Sequence, residues 1–309
     1  MTEPTLVPLS TDRHGSARWR RFADYGFARG RRLVPVVAAE AETVAAALPL
    51  VFADNPEGGP PMPVALLRSR AAGNSPYVSA EGRWLANYVP ALLRVHPFSS
   101  RAVPDESGRM VLLVDEASGL ITDDAMAERF FDPLGAPTPS LEAVIAFFRQ
   151  YEASVRQTRA AMDALTGART PDGEPLLVPL AGIGGIEGEG AAGLWMIHRA
   201  RFDALDDAGW LALRGPGALA LAHAHLVGRW KIDFLRRAEE AIAGLDGGAA
   251  AMPRGNTGPE SGPDMSEFLA AMAGAQDDAI QGLFGTTGQT ETTGTGPAEP
   301  SDRARGDGA

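Results

Sequence analysis

Seven arginines, Arg13, Arg18, Arg20, Arg21, Arg29, Arg31 and Arg32, crowd into residues 13–32 against one acid, Asp24. The segment carries +6 in a chain of net charge −11, so the remainder sums to −17. Guanidinium forks grip carboxylates and phosphates through paired N–H donors, so the chemistry on offer is anion binding. Trp19, Phe22, Tyr25 and Phe27 interleave with the arginines, as a stacking platform for single-stranded nucleic acid requires. A nucleic-acid binder normally displays a basic domain, however, and this chain has pI ≈ 5.0. Two uses fit better: ion pairs with the chain's own surplus acids, and contact with a protein, peptide or anionic polymer.

Other patterns carry weaker chemistry. His223 and His225 form an H-x-H pair, which chelates a metal when a strand places both side chains on one face. The local pattern is helical, and two helix positions lie about 200° apart. His223 then joins the stripe of Leu219, Leu226 and Trp230, His225 points away, and no metal is expected. Gly188-Glu189-Gly190-Ala191-Ala192-Gly193 spells G-x-G-x-x-G, but the dinucleotide fingerprint needs a strand before it and a helix after it. Here a strand follows, Glu187 and Glu189 repel a pyrophosphate, and Leu213 stands where the acid belongs. A loop is expected.

Asp115 and Glu116 close an apolar strand, with Asp123, Asp124 and Asp132 nearby. Oxygen ligation of Ca²⁺ or Mg²⁺ needs convergent carboxylates, and adjacent strand residues face opposite ways. Helix capping by Asp123 or Asp124 and a turn at Asp132-Pro133 account for most of these acids. Trp84, Tyr88, His96 and the Asp115–Glu116 strand end are the candidates for a small-molecule pocket. Serine-nucleophile, P-loop and H-E-x-x-H signatures are missing. Cysteine is absent too, which excludes disulfides, thiolate catalysis and Cys-ligated metals. No cofactor is expected.

These residues need a scaffold, and 309 residues with 45% apolar content can bury a sizeable core. Between residues 33 and 115, short apolar runs (LVPVV, PLVFA, PVALL, PYVSA, MVLLV) alternate with turn residues and read as strands. In GRWLANYVPALLRVHPF, Pro90 and Pro97 limit any helix. The clearest helix follows Thr138, a fitting N-cap, with Pro139 at its first position and Glu142 near the positive dipole end. Leu141, Val144, Phe148, Tyr151, Val155, Thr158, Met162 and Leu165 recur every three or four positions, and Gly167 ends it. Pro216 opens a second long helix, expected to run to about Leu245.

The expected architecture is α+β: a mostly antiparallel N-terminal sheet packed by two long helices, spanning residues 1–245. Its core is placed on Leu33, Val36, Val51, Val64, Leu66, Leu112, Val114, Val144, Phe148, Tyr151, Val155, Leu219, Leu226 and Trp230. Residues 246–309 hold ten acids and three arginines amid Gly, Thr, Pro and Ser, and are expected to be disordered. One island, 264–284, has Asp264 and Glu267 in a capping-box arrangement and a short helical pattern of apolar residues that suits a partner groove. The N-terminal MTEPTLVPLSTDRHGS lacks an apolar run, so a cytoplasmic address is the default, with signal-independent export as the other route. No segment is long enough to span a membrane.

The order of motifs resembles the SapC family of bacterial proteins. The matching pieces are HGSARWRRFADYGFARGRRLVPVVAAE, PLVFAD, PVALL, GRWLANYVPALLRVHPF, LLVDEASG, RFFDPLGAPTP, YEASVRQTRAAMDAL, and GLW followed by GALALAHAHL. After GLW the family usually places acids, where this chain has Ile197, His198 and Arg199. The resemblance implies an association with bacterial surface-layer proteins and supplies no catalytic signature. A non-enzymatic accessory protein of envelope, surface-layer or nutrient-uptake biology is therefore expected, with Arg18, Arg20, Arg21, Arg29, Arg31, Arg32, Trp84 and Tyr88 as contact residues. The alternative is an enzyme or small-molecule binder using the pocket near Trp84, Tyr88, His96 and Asp115.

Overall fold

The computed structural model describes residues 4–103, 110–180, 186 and 188–245. In chain order, β1 (Leu6–Pro8), the one-turn helix α1 (Thr11–His14) and β2 (Arg18–Trp19) precede β3 (Leu33–Pro35). Then come α2 (Ala41–Ala47), β4 (Leu50–Ala53), β5 (Met62–Leu66), α3 (Ala91–Arg94), β6 (Phe98–Ala102) and β7 (Met110–Asp115). The short strands β8 (Ile121–Thr122) and β9 (Glu128–Arg129) lead into the long helix α4 (Pro139–Gly167). β10 (Leu177–Pro179) and β11 (Leu194–Ile197) follow, then α5 (Arg199–Asp203), α6 (Asp207–Arg214), α7 (Ala218–Gly228) and α8 (Lys231–Leu245).

The described strands form three antiparallel sheets ordered β10-β11-β4-β5-β3, β1-β7-β6 and β8-β2-β9. The fold class is α+β, as expected. Pro35 sits on the edge strand β3, where the missing N–H costs no ladder bond. The runs of β4 and β5 are buried on both faces: Leu50, Val51, Phe52 and Ala53 of β4 are all inaccessible or nearly so, as are Pro63 to Leu66 of β5. That explains why they read as continuous apolar stretches rather than alternating ones.

α4 ties two apolar clusters together. Its first half buries Leu141, Val144, Phe147, Phe148 and Tyr151 against Trp19, Phe98, Val114 and Phe130 from the two small sheets. Its second half buries Ala161, Met162 and Leu165 in the cluster of the large sheet, α2 and α7. The helix starts as expected, with Thr138 accepting from the Leu141 N–H and Pro139 at its first position. Each fully buried Leu, Met or Phe on it contributes roughly 1.5–3 kcal/mol.

Several expectations need correction. The second long helix is two: α6 ends before Pro216, α7 begins at Ala218, and the chain turns again at Arg229–Trp230 before α8. Just before that turn Gly228 lets α7 close on α2 and β4, since a Cβ there would meet the Ala45 Cβ and Leu50 N at 3.1 Å. α7 therefore packs flush on α2 and β4, and the chain must bend to carry α8 onward. The bend throws Trp230 outward, 68% exposed rather than in the core. The packing of α7 against β4 and β11 leaves His223 exposed and His225 buried, reversing the expected faces.

Val155 lies on the α4 stripe but is 37% exposed, on the wall of a cleft. Asp123 and Asp124 cap no described helix; Asp124 instead accepts from the Met126 N–H. The turn at Asp132 is present, its carboxylate accepting from the Leu134 and Ala136 amides. Residues 246–309, with the island at 264–284, lie outside the described residues.

Candidate functional site

The arginine ribbon divides at Asp24. On its first half, Arg13 grips Glu116 with two N–H donors at 2.7 and 2.6 Å, and His14 lies 3.2 Å from the same carboxylate. Arg20 pairs with Asp124, Arg21 pairs with Glu128 at 3.0 Å, and Arg18 donates to the Ala127 carbonyl at 2.8 Å. These bonds close β2 between β8 and β9. Arg13 holds the Glu116 carboxyl below its usual range, and the Met126 amide followed by Arg20 does so for Asp124.

Asp24 turns the chain. Its carboxylate accepts from the Gly26 N–H at 2.8 Å, and the Tyr25 N–H donates to the Gly82 carbonyl at 2.7 Å. Gly82 has φ +80°, and a Cβ there would come within 2.4 Å of Asp24 Oδ1, so only glycine allows this approach. The turn gathers rings into one face: Phe22 lies 5.1 Å from Tyr25 and 5.2 Å from Phe27, and Tyr25 lies 5.6 Å from Trp84. Phe27 stacks on His96 at 3.9 Å and 14°.

The second half of the ribbon meets this face. Arg31 keeps an exposed side chain by surface area, and its guanidinium donates no hydrogen bond to a described residue. Protein crowding about it nevertheless lowers its pKa, with Asp115 pulling the other way. His96 is drawn down to about 4, by burial first and Arg31 second. Arg29 is half-buried, its Nε without a hydrogen-bond partner among the described residues. Arg32 runs inward and donates to the Gly190 carbonyl, tying the glycine-rich turn to β3.

Beneath the aromatic face lies a polar cluster. Tyr88 donates its hydroxyl to Glu40 at 2.9 Å, the Ala91 N–H donates to the same oxygen at 3.1 Å, and Arg94 donates to the Tyr88 hydroxyl at 2.9 Å. Trp84 Nε1 donates to the Tyr88 carbonyl at 2.9 Å. Burial pushes the pKa of Glu40 up, the Ala91 amide and Tyr88 opposing it; burial, with Glu40 next, also pushes Tyr88 up. A second buried carboxylate, Glu239 of α8, accepts from the Ser69 N–H at 2.6 Å and from the Ser69 hydroxyl.

Trp84 and Tyr88 are thus brought together, and His96 and Asp115 both act on Arg31. The polar atoms of Trp84 and Tyr88 are engaged with protein. Separately, a cleft of about 370 Å³ opens between the β4–β5 connection, β6 and α4, walled by Val36, Met62, Phe148, Tyr151 and Val155. None of the four pocket residues named from sequence lines it. Its sequence signal is the proline run Pro60, Pro61 and Pro63, which reads only as a turn. Both ring nitrogens of His225 are engaged by protein: the ring bonds the Leu50 carbonyl at 2.9 Å and accepts from the Ile197 N–H at 3.1 Å. His198, where the family pattern suggests an acid, caps α5 by accepting from the Arg201 N–H.

Fold and site together describe an α+β protein with an aromatic face edged by the exposed Arg31 side chain. The SapC family model matches residues 9–233, more than half of the 309-residue chain, and the chain belongs to that family. No curated protein and no solved structure matches it. Among the described residues, no helix is long and apolar enough to cross a membrane.

Proposed function

We propose that this SapC-family chain is a non-enzymatic binding protein of bacterial envelope, surface-layer or nutrient-uptake biology. Its contact surface is the face built by Phe22, Tyr25, Phe27 and His96 with Arg29 and Arg31. The partner is an anionic segment of a protein, peptide or surface polymer. One observation carries this reading: Arg13, Arg20 and Arg21 are paired with the chain's own acids, whereas the exposed Arg31 guanidinium has no hydrogen-bond acceptor among the described residues. Half-buried rings beside it supply flat apolar area at low entropic cost, as binding surfaces use. The engagement of Trp84 and Tyr88 with protein atoms favours binding over catalysis at this face.

The immobilised full chain, exposed to an envelope extract of the source cell, tests the assignment. The double variant Arg31→Ala, Phe22→Ala should recover its main partner about tenfold less well, as one lost charge-assisted contact implies. Arg20→Ala, Arg21→Ala should bind as the parent does. Equal recovery by the first variant, with its circular dichroism unchanged, refutes the assignment.

A further inference from the structure

α4 changes partners halfway along. Phe148 and Tyr151 belong to the cluster of the two small sheets, and Met162 to the cluster of the large sheet. Between them Val155 continues the apolar stripe but stands 37% exposed, on the wall of the cleft of about 370 Å³. That volume lies in the range of small-molecule sites, roughly 300–1,000 Å³. The facing wall is the β4–β5 connection, where Pro56, Pro60 and Pro61 fix the backbone and hold the cleft in shape in advance.

Four hydroxyls line this cleft, and two of them are satisfied by protein. Ser100 donates to Glu152 at 2.8 Å; Thr158 donates to the Ser154 carbonyl at 2.7 Å and accepts from the Ala38 N–H at 2.8 Å. The other two are idle among the described residues. Ser99 Oγ is buried without a hydrogen-bond partner, and Tyr151, only 6% exposed, donates to no described group. Burial, then Glu40 and Glu152, pushes the Tyr151 pKa well above its usual value, so the hydroxyl keeps its proton. Buried polar groups are nearly always bonded. Two idle donors in one apolar cleft call for an acceptor supplied from outside.

The charges nearby favour a neutral acceptor. Glu57, Glu152 and Arg159 line the cleft, while Asp54, Arg101 and Arg156 adjoin lining residues in sequence and are exposed. Three acids and three cations balance, so neither an anion nor a cation is drawn in. Arg159 is seated beside Gly59, at φ +92°, where a Cβ would meet its Nη2 at 2.9 Å. Burying a carboxylate or ammonium against Met62, Phe148 and Val155 costs far more than burying a carbonyl.

We infer that this cleft binds a small neutral acyl compound, an ester or amide. Its carbonyl accepts from the Ser99 and Tyr151 hydroxyls, and its apolar chain lies over Met62 and Val155. The site is separate from the aromatic–arginine face and does not depend on the role assigned to that face.

Titration calorimetry of the full chain with methyl octanoate, up to its solubility limit, tests the inference. Binding should saturate with a negative heat-capacity change, the mark of apolar burial. Octanoate and octylamine, with the same chain, should bind at least about tenfold more weakly. Val155→Trp, which fills the cleft from its wall, should abolish binding. Ser99→Ala and Tyr151→Phe should each weaken it about fivefold, as loss of one neutral hydrogen bond implies. Both hydroxyls are idle in the free chain, so these two variants should keep the parent's urea midpoint. A merely structural role would move the midpoint and spare the affinity. Absence of ester binding, equal binding of octanoate or octylamine, or full affinity in both hydroxyl variants would overturn the proposal. So would binding that survives in a folded Val155→Trp; should that variant misfold, the hydroxyl variants decide alone.

Discussion

The two halves of the arginine ribbon have nearly the same composition and opposite roles. Arg13, Arg20 and Arg21 stand in the open and hold acids about a hundred residues away, Glu116, Asp124 and Glu128. Exposed pairs of this kind contribute roughly 0.2–1 kcal/mol each and weaken in salt. Arg29, Arg31 and Arg32 sit where protein crowds them, and Arg31 and Arg32 both have lowered pKa values with desolvation as the first cause. The difference shows that arginine density says little about function. What matters is whether acids of the same chain reach the guanidinium first, and that is decided by which strands close around β2.

The comparison can be broken most forcefully through the buried partner of the inner half. Glu239→Ala strands the Ser69 N–H and hydroxyl and removes the carboxylate that offsets Arg32. Such a loss should cost about 3 kcal/mol, read as a lower midpoint in urea unfolding with the slope unchanged. A cost below about 1 kcal/mol would mean that the inner half is solvated after all.

Acid should separate the two halves next. His225, buried under the large sheet, and His96, beside Arg31, both have folded pKa values of about 4 against an ordinary 6.5, burial being the first cause. As pH falls through 6.5 the unfolded chain takes up protons that the folded chain refuses, so stability drops until about pH 4. For fully buried His225 the loss is on the order of 3 kcal/mol. The outer pairs respond later, because Glu116 and Asp124 stay ionised below the usual carboxylate range. Urea titrations at pH 7, 5.5 and 4.5 should show the early loss, and His225→Gln should flatten that limb. A parent protein equally stable at all three values would contradict the burial argument.

The mildest test compares single arginines. Arg32→Ala loses a charge-assisted bond to the Gly190 carbonyl and should cost about 1.5–3 kcal/mol at low and high salt alike. Arg20→Ala should cost about 0.5 kcal/mol and nothing measurable in 1 M salt. If the two variants behave alike in thermal melts across that salt range, the division of the ribbon is wrong.

Particular residues show how far the sequence could be read. Thr138, Pro139 and the three-and-four spacing from Leu141 to Leu165 are local signals, and α4 begins and ends where they put it. Four of the five strand runs were legible for the same reason; PYVSA forms no strand, and Val78 makes only an isolated bridge to Trp84. Trp230 was misplaced because periodicity continues on paper through Arg229, while the chain itself turns there. Gly228 was the available clue, but its meaning depends on Ala45 and Leu50, nearly two hundred residues earlier. The histidines were assigned to the wrong faces by the same extrapolated stripe. Of the site, Trp84 with Tyr88 was foreseen as a pair; Glu40, the lone acid buried beneath them, was not, since nothing in AAEAETVAAAL distinguishes it from exposed Glu42.

The sequence by itself determined the family, the α+β class, the position of α4 and the concentration of positive charge. All of these reside in local order, spacing and composition, which a linear chain carries without folding. Only the tertiary structure decided which arginines are spoken for, which histidine is interior, where the rings of residues 22–27 meet His96, and which helices leave apolar surface uncovered. Each of those outcomes depends on groups far apart in the chain meeting at hydrogen-bond or van der Waals range. Desolvation and pairing energies change steeply over those few ångströms, and no linear spacing records them.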